Sequence, residues 1–168
     1  TGLAVIDDAG VLQHVGVAGC DDDLLAQLAP FVDGDCVVAV DAPLVVVNPA
    51  GNRRCEAALN RDFRRFEAGA HPANTGLPWF ADVGRGAQLC AALGLDLDPL
   101  STSGRRALEV YPHAASVVLF NLPRTLKYKQ KPGRDIALLR SELLRLIGFI
   151  EGLDVNLTAS ADWSALKA

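Results

Sequence analysis

Hydrophobic and polar positions alternate along the start of the chain with the period of β-strands. Gly2–Ile6 and residues 11–17 predict two strands, and the turn Asp7-Asp8-Ala9-Gly10 between them predicts a hairpin. Residues 21–31 predict a helix, because three aspartates suit a helix N-terminus and apolar residues then recur at helical spacing.

A different pattern follows in Cys36–Val40, a continuous apolar run that ends at Asp41. Such a run predicts a strand buried on both faces, as in the parallel sheets of α/β proteins. Residues 107–111 predict a further strand, and Pro112 stands where it can open a helix. Further helices are predicted over residues 53–66, 86–93 and 135–150. Strands separated by helices indicate an α/β fold, and the hairpin makes the expected sheet mixed.

Length and composition narrow the class of protein. The chain has 168 residues, half of them hydrophobic, which suits one domain with its own core. No apolar run approaches the ~20 residues that a membrane span requires, so no membrane partner is expected. Methionine is absent, so Thr1 is not expected to be the translation start, and we expect a single domain, 1–168, that is incomplete at both ends.

The four cysteines contain no CxxC pair, which argues against a zinc site. Cys36, Cys55 and Cys90 each lie among apolar residues, which predicts buried free thiols. Together with the lack of a secretion leader in the sequence as given, this favours a reducing, cytoplasmic location.

Two acids stand on apolar strands. Asp41 follows the Cys36–Val40 run, where open α/β sheets bind ligands, although it could also be a turn former. Glu109 lies in Ala107-Leu108-Glu109-Val110-Tyr111-Pro112, although it could also face solvent on an edge strand. Two carboxylates side by side at the carboxyl ends of strands could hold Mg²⁺ or Mn²⁺, since hard cations prefer oxygen ligands.

The helix predicted over residues 53–66 has one basic face. At ~100° per residue its arginines fall within a sector of roughly 120°, opposite Cys55, Leu59, Phe63 and Phe66. A solvated surface is the alternative, but so many arginines directly after the Asp41 loop favour phosphate contact. This local face matters because the net charge of −4 disfavours non-specific nucleic-acid binding. The arginines are Arg53, Arg54, Arg61, Arg64 and Arg65. A second basic cluster, Arg124, Lys127, Lys129, Lys131 and Arg134, is open to either interpretation.

Four phrases in order, VAVDAPL, GNRRCEAALNR, EVYPHAA and LKYK, resemble an uncharacterised family of predicted nucleases with a ribonuclease-H-like fold, domain of unknown function family 429. The resemblance covers residues 37–140. It implies that Asp41 and Glu109 are catalytic and metal-binding acids. It also implies substrate contacts from the basic helix, at Arg53, Arg54 and Arg61, and from the pair Tyr128 and Lys129.

The resemblance also implies two acids that are hard to find. An aspartate is expected on a first strand before the phrase TGLAVID, where Asp7 and Asp8 are poor substitutes. Another is expected on a final helix, where only Asp162 is at hand. We therefore expect the first strand to be missing from this chain and little or no nuclease activity from it.

Three functions remain open on the sequence. The first is a Mg²⁺- or Mn²⁺-dependent nuclease that acts on nucleic acid through Asp41 and Glu109. The second is a phosphotransferase of the actin and sugar-kinase type, for which Gly84-Arg85-Gly86 is the only glycine-rich candidate loop. The third is a non-catalytic nucleic-acid or protein-binding module with a lapsed site.

Overall fold

The first two predicted strands pair as an antiparallel hairpin. β1 (Gly2–Ile6) lies beside β2 (Leu12–Val17), with Gly2 opposite Val17 and Ile6 opposite Leu12. Asp7 accepts hydrogen bonds from the backbone N–H groups of Val11 and Ala9, and the Val11 bond contributes most to a pKa below the usual value for an aspartate. Asp7 is therefore a turn residue, as the sequence predicts.

The computed structural model describes residues 1–157 and 163–165. The chain forms two compact units. We call the unit made of Thr1–Leu28 and the described residues from Leu126 onward the hairpin unit, and Ala29–Thr125 the parallel-strand unit. Asp162, the only candidate for a C-terminal acid, lies outside the described residues.

Besides the hairpin, the described part of the hairpin unit includes the helices α1 (Asp21–Leu28) and α5 (Ile136–Glu151). α1 begins at its three aspartates as predicted, and the long α5 begins after Asp135, whose side chain accepts the N–H of Leu138. A small core joins Leu12 and Val15 of the hairpin to Ile147 and Ile150 of α5, together with Val155, Leu157 and Trp163.

The apolar side of α5 is less buried than its periodicity predicts. Ile136 is 77% exposed and Leu143 is 43% exposed, whereas Glu142 is buried. Glu142 accepts the backbone N–H of Lys127 at 2.9 Å and pairs with Arg145 at 2.5 Å. A buried carboxylate is stable there because its oxygens receive hydrogen bonds and a counter-charge.

The parallel-strand unit is built on a parallel pair of strands. β3 (Cys36–Val40) lies beside β4 (Arg105–Glu109), with Cys36 opposite Arg105 and Val40 opposite Glu109. The ladder therefore starts two residues earlier in β4 than predicted. It ends before Tyr111, which is the N-cap of the following helix. Three α-helices belong to this unit: α2 (Arg54–Phe63), α3 (Arg85–Ala92) and α4 (Pro112–Leu119).

The prediction that β3 is buried on both faces was wrong. Cys36, Val38 and Val40 pack against the core formed by Leu44, Cys90, Leu95 and Ala107. Val37 points the other way and is 54% exposed. The reason is the pleat: successive side chains alternate between faces, and the core covers one face of this two-stranded sheet.

The α/β class is confirmed, but the single mixed sheet is not formed among the described residues. The antiparallel and parallel pairs are two separate two-stranded sheets. The two strands of each pair lie in the same unit. A short turn connects the antiparallel strands, and a longer crossover connects the parallel strands. Among the described helices, none is long and apolar enough to cross a membrane.

Candidate functional site

Both candidate acids lie at the carboxyl edge of the parallel pair. The register sets Glu109, the last residue of β4, opposite Val40, the last residue of β3. The N–H of Val110 still donates to the carbonyl of Val40, so the two chains remain together as they leave the sheet. Asp41 is the next residue after Val40 and is exposed. This edge is where ligands bind in open α/β sheets.

Glu109 is held in place by two different donors. Arg53 forms a bidentate ion pair with it, Nη2 to Oε1 at 2.5 Å and Nη1 to Oε2 at 2.8 Å. The backbone N–H of Leu44 donates to Oε2 at 3.0 Å. The second donor comes from the loop that follows Asp41, so Glu109 fixes this loop against the end of β4.

Arg53 also pairs with a second carboxylate, Glu56, on the first turn of α2. Arg53 Nε donates to Glu56 Oε1 at 2.7 Å, and the backbone N–H of Arg53 donates to Oε2 at 2.9 Å. Glu56 is 4% exposed, and both of its oxygens also accept the N–H of Ala73. Arg53 Nη1 donates as well to the carbonyl of Val45. The pKa of Arg53 is raised above its usual value, mainly by its hydrogen bonds to Glu109 and despite partial burial.

These contacts correct one expectation about the arginine face. The sequence predicts that Arg53 presents its guanidinium to solvent and phosphate, but its side chain is 11% exposed and lies between two carboxylates. The reason is its position as the N-cap residue of α2, which turns it towards Glu56 in the first helical turn.

The remaining arginines of α2 and of the 3₁₀ turn that follows it do lie at the surface. Arg54 and Arg64 are exposed, and Arg65 stacks its guanidinium 4.6 Å from the centre of the Phe66 ring. Arg61 is exposed but pairs with Asp62 at 2.8 Å, which offsets part of its charge. The exposed basic face therefore consists of Arg54, Arg61, Arg64 and Arg65.

Asp41 differs from Glu109 in its surroundings. Within the part of the chain that the structure describes, its carboxylate forms no hydrogen bond or ion pair. Its charge acts on Tyr111: burial is the main cause that raises the pKa of this tyrosine, and Asp41 raises it further. The Tyr111 hydroxyl donates to the carbonyl of Gly69 at 2.8 Å.

Lys129, the remaining substrate-binding candidate, belongs to the hairpin unit. It is exposed, and its backbone carbonyl accepts a hydrogen bond from Arg134 Nη1 at 2.7 Å. Arg134 also reaches the carbonyl of Lys127. Arg134, a member of this basic cluster, therefore stabilises the loop that carries the cluster's lysines.

The cysteines match their prediction in part. All four are free thiols, and Cys90 is buried, which raises its pKa. Cys55 is exposed, contrary to the prediction, because it lies on the solvent side of α2 beside Arg54.

Sequence reasoning missed Glu56, which holds Arg53 in its place. The signal was the spacing of a capping box: Glu56 stands three residues after Arg53, the residue that precedes α2. The role of Ala73 had no signal in the sequence, because a backbone N–H carries no side-chain identity.

The chain belongs to the family described as protein of unknown function (DUF429), whose model matches residues 1–166. No curated protein and no solved structure gives a significant match to the chain. The match extends the resemblance seen in the four sequence phrases to nearly the whole chain.

Proposed function

We propose that this domain is a metal-dependent nuclease of ribonuclease-H-like fold, which hydrolyses phosphodiester bonds of nucleic acid at the edge formed by Asp41 and Glu109. The observation that carries the proposal is the register of the parallel pair, which brings the two acids to one carboxyl edge. Carboxylates at such an edge are well placed to meet a ligand.

The donor set fits a hard divalent cation. Asp41 has no hydrogen bond or ion pair among the described residues, so its carboxylate is open to a cation, whereas Glu109 is shared with Arg53. Mg²⁺ is often held by one or two carboxylates together with substrate phosphates, and Asp41 and Glu109 are the two carboxylates that this edge offers. When bound there, Mg²⁺ or Mn²⁺ would supply Lewis acidity towards a phosphoryl oxygen.

The proposal gives separate tasks to the residues of this edge and to the exposed basic face of α2. Leu44 donates its N–H to Glu109 and keeps that carboxylate in position. Arg54, Arg61 and Arg64 offer guanidinium groups to the phosphates of the nucleic acid, which arginine binds in bidentate fashion. The carboxylate of Asp41 would coordinate the cation.

The second candidate is a nucleic-acid or protein-binding module with a lapsed site. Two observations favour it: Glu109 is paired with Arg53, and no group of three metal-ligating side chains occurs among the described residues. Fewer oxygen ligands weaken Mg²⁺ binding, because this ion gives up its waters reluctantly.

A cleavage assay separates the two candidates. Single-stranded, duplex and RNA–DNA hybrid substrates are incubated with the chain in Mg²⁺, in Mn²⁺ and in a chelator. The nuclease proposal expects slow cleavage that requires the cation and is abolished in Asp41→Asn. Binding of the same substrates with no cleavage under any condition would support the binding module and contradict the nuclease.

A further inference from the structure

Both oxygens of Glu109 are already occupied in this structure. Oε2 accepts two hydrogen bonds, from Arg53 Nη1 and from the N–H of Leu44, and Oε1 accepts one from Arg53 Nη2. A carboxylate oxygen offers about two lone-pair directions. Glu109 therefore has one direction left, on Oε1, and that direction lies beside a guanidinium.

Several hydrogen bonds fix the Arg53 side chain in its position beside Glu109. Its Nε is held by the buried Glu56, which is itself held by the N–H of Ala73. Its Nη1 is held by the carbonyl of Val45. Because the guanidinium is planar and has several partners at once, it leaves Glu109 only if all of these hydrogen bonds rearrange.

We propose that Arg53 and a divalent cation are alternative partners of Glu109, so that Arg53 is the residue that limits metal binding at this edge. The inference rests on the nuclease site proposed above and adds a residue that controls it. The Arg53 guanidinium and a divalent metal ion, both bound to Glu109, would repel each other strongly in a partly buried site. The metal therefore binds only the molecules in which Glu109 is free, and its apparent affinity is the intrinsic affinity multiplied by the fraction of such molecules.

The test measures Mn²⁺ binding directly, by calorimetry and by the electron paramagnetic resonance signal of free Mn²⁺. Arg53→Gln removes the competing charge, and we expect it to bind Mn²⁺ at least about tenfold more tightly than the wild-type chain, as for a Glu109 that is free in no more than about a tenth of the molecules. The gain must disappear in Arg53→Gln/Glu109→Gln, because it depends on the freed carboxylate. Arg124→Gln is the matched control: it removes one exposed arginine from the same unit, and its Mn²⁺ affinity should equal that of the wild type.

Arg53→Gln leaves the buried Glu56 without its counter-charge and could unfold the unit. Arg53→Gln/Glu56→Gln removes both charges and keeps amide groups at both positions. This variant should show the same gain in Mn²⁺ affinity as Arg53→Gln. Circular dichroism on each variant establishes that the protein measured is folded.

The outcomes separate this inference from the proposed function. If wild-type Mn²⁺ binding is weakened by Asp41→Asn but neither Arg53 variant binds more tightly, the competition is wrong and the metal site stands. Weaker binding in both Arg53 variants would show that Arg53 positions Glu109 for the metal, which also overturns the competition. If no variant binds Mn²⁺, the metal site and the competition fall together.

Discussion

Arg53 and Glu109, 56 residues apart in sequence, form a bidentate ion pair at the carboxyl edge of the parallel strands. The sequence predicts both residues at the site, Arg53 as a phosphate contact and Glu109 as a metal ligand. The structure pairs them with each other, which satisfies the charge of each. Glu56 completes the arrangement from the first turn of α2.

Removing Glu56 should destabilise the protein. Its carboxylate is buried and accepts hydrogen bonds from Arg53 and from the N–H of Ala73, so Glu56→Ala leaves both donors unsatisfied. We expect the free energy of unfolding of Glu56→Ala, measured in urea, to fall by about 3 kcal/mol, which is the usual cost of breaking a buried pair in this way. Asp62→Ala is the matched control on the same helix. It breaks the exposed pair with Arg61 and should leave the unfolding midpoint unchanged.

The charge of Asp41 should be measurable through Tyr111. Burial and the nearby Asp41 both raise the pKa of this tyrosine, because each disfavours the phenolate. Asp41→Asn removes the second cause, so the pKa should fall towards the usual value while remaining above it. Tyr128 is the only other tyrosine, so Tyr128→Phe leaves one phenol whose ionisation is followed by ultraviolet absorbance. A pKa that does not move would place Asp41 away from Tyr111.

The exposed basic face should contribute to nucleic-acid binding through charge alone. Replacing Arg54, Arg61 and Arg64 with Ala should weaken binding equally for all sequences. It should also reduce the slope of log K against log salt by about one unit for each phosphate that the variant no longer binds. Fluorescence anisotropy with a labelled oligonucleotide at several salt concentrations gives this slope. The same slope in the triple variant and the wild type would mean that this face is only a solvated surface.

The thiols should differ in their reactivity. Cys20 and Cys55 are exposed, whereas burial raises the pKa of Cys90 and lowers its thiolate fraction at any given pH. Ellman's reagent should therefore modify Cys20 and Cys55 rapidly in the folded protein, the half-buried Cys36 more slowly, and Cys90 only after unfolding. Cys55→Ser should remove one rapid thiol. The same number of rapid thiols in this variant and in the wild type would mean that Cys55 is buried, as its apolar neighbours in the sequence suggest.

The local pattern of the sequence determined most of the secondary structure. The three aspartates before α1, the apolar run of β3 and the Asp135 cap of α5 each act within a few residues of the element that they define. Helix caps, turns and side-chain periodicity are short-range effects, so they can be read from one stretch of chain. The α/β class followed from the order of these elements.

The tertiary structure alone decided which partner each functional side chain has. Which face of β3 is covered, and whether Cys55 or Val37 meets solvent, depended on how the helices pack on the sheet. The pairing of Arg53 with Glu109 depended on the register that sets Val40 opposite Glu109, which joins segments far apart in sequence. An arginine and a glutamate carry the same chemistry wherever they stand, so the sequence identified the two charged groups, and only the fold determined that they bind each other.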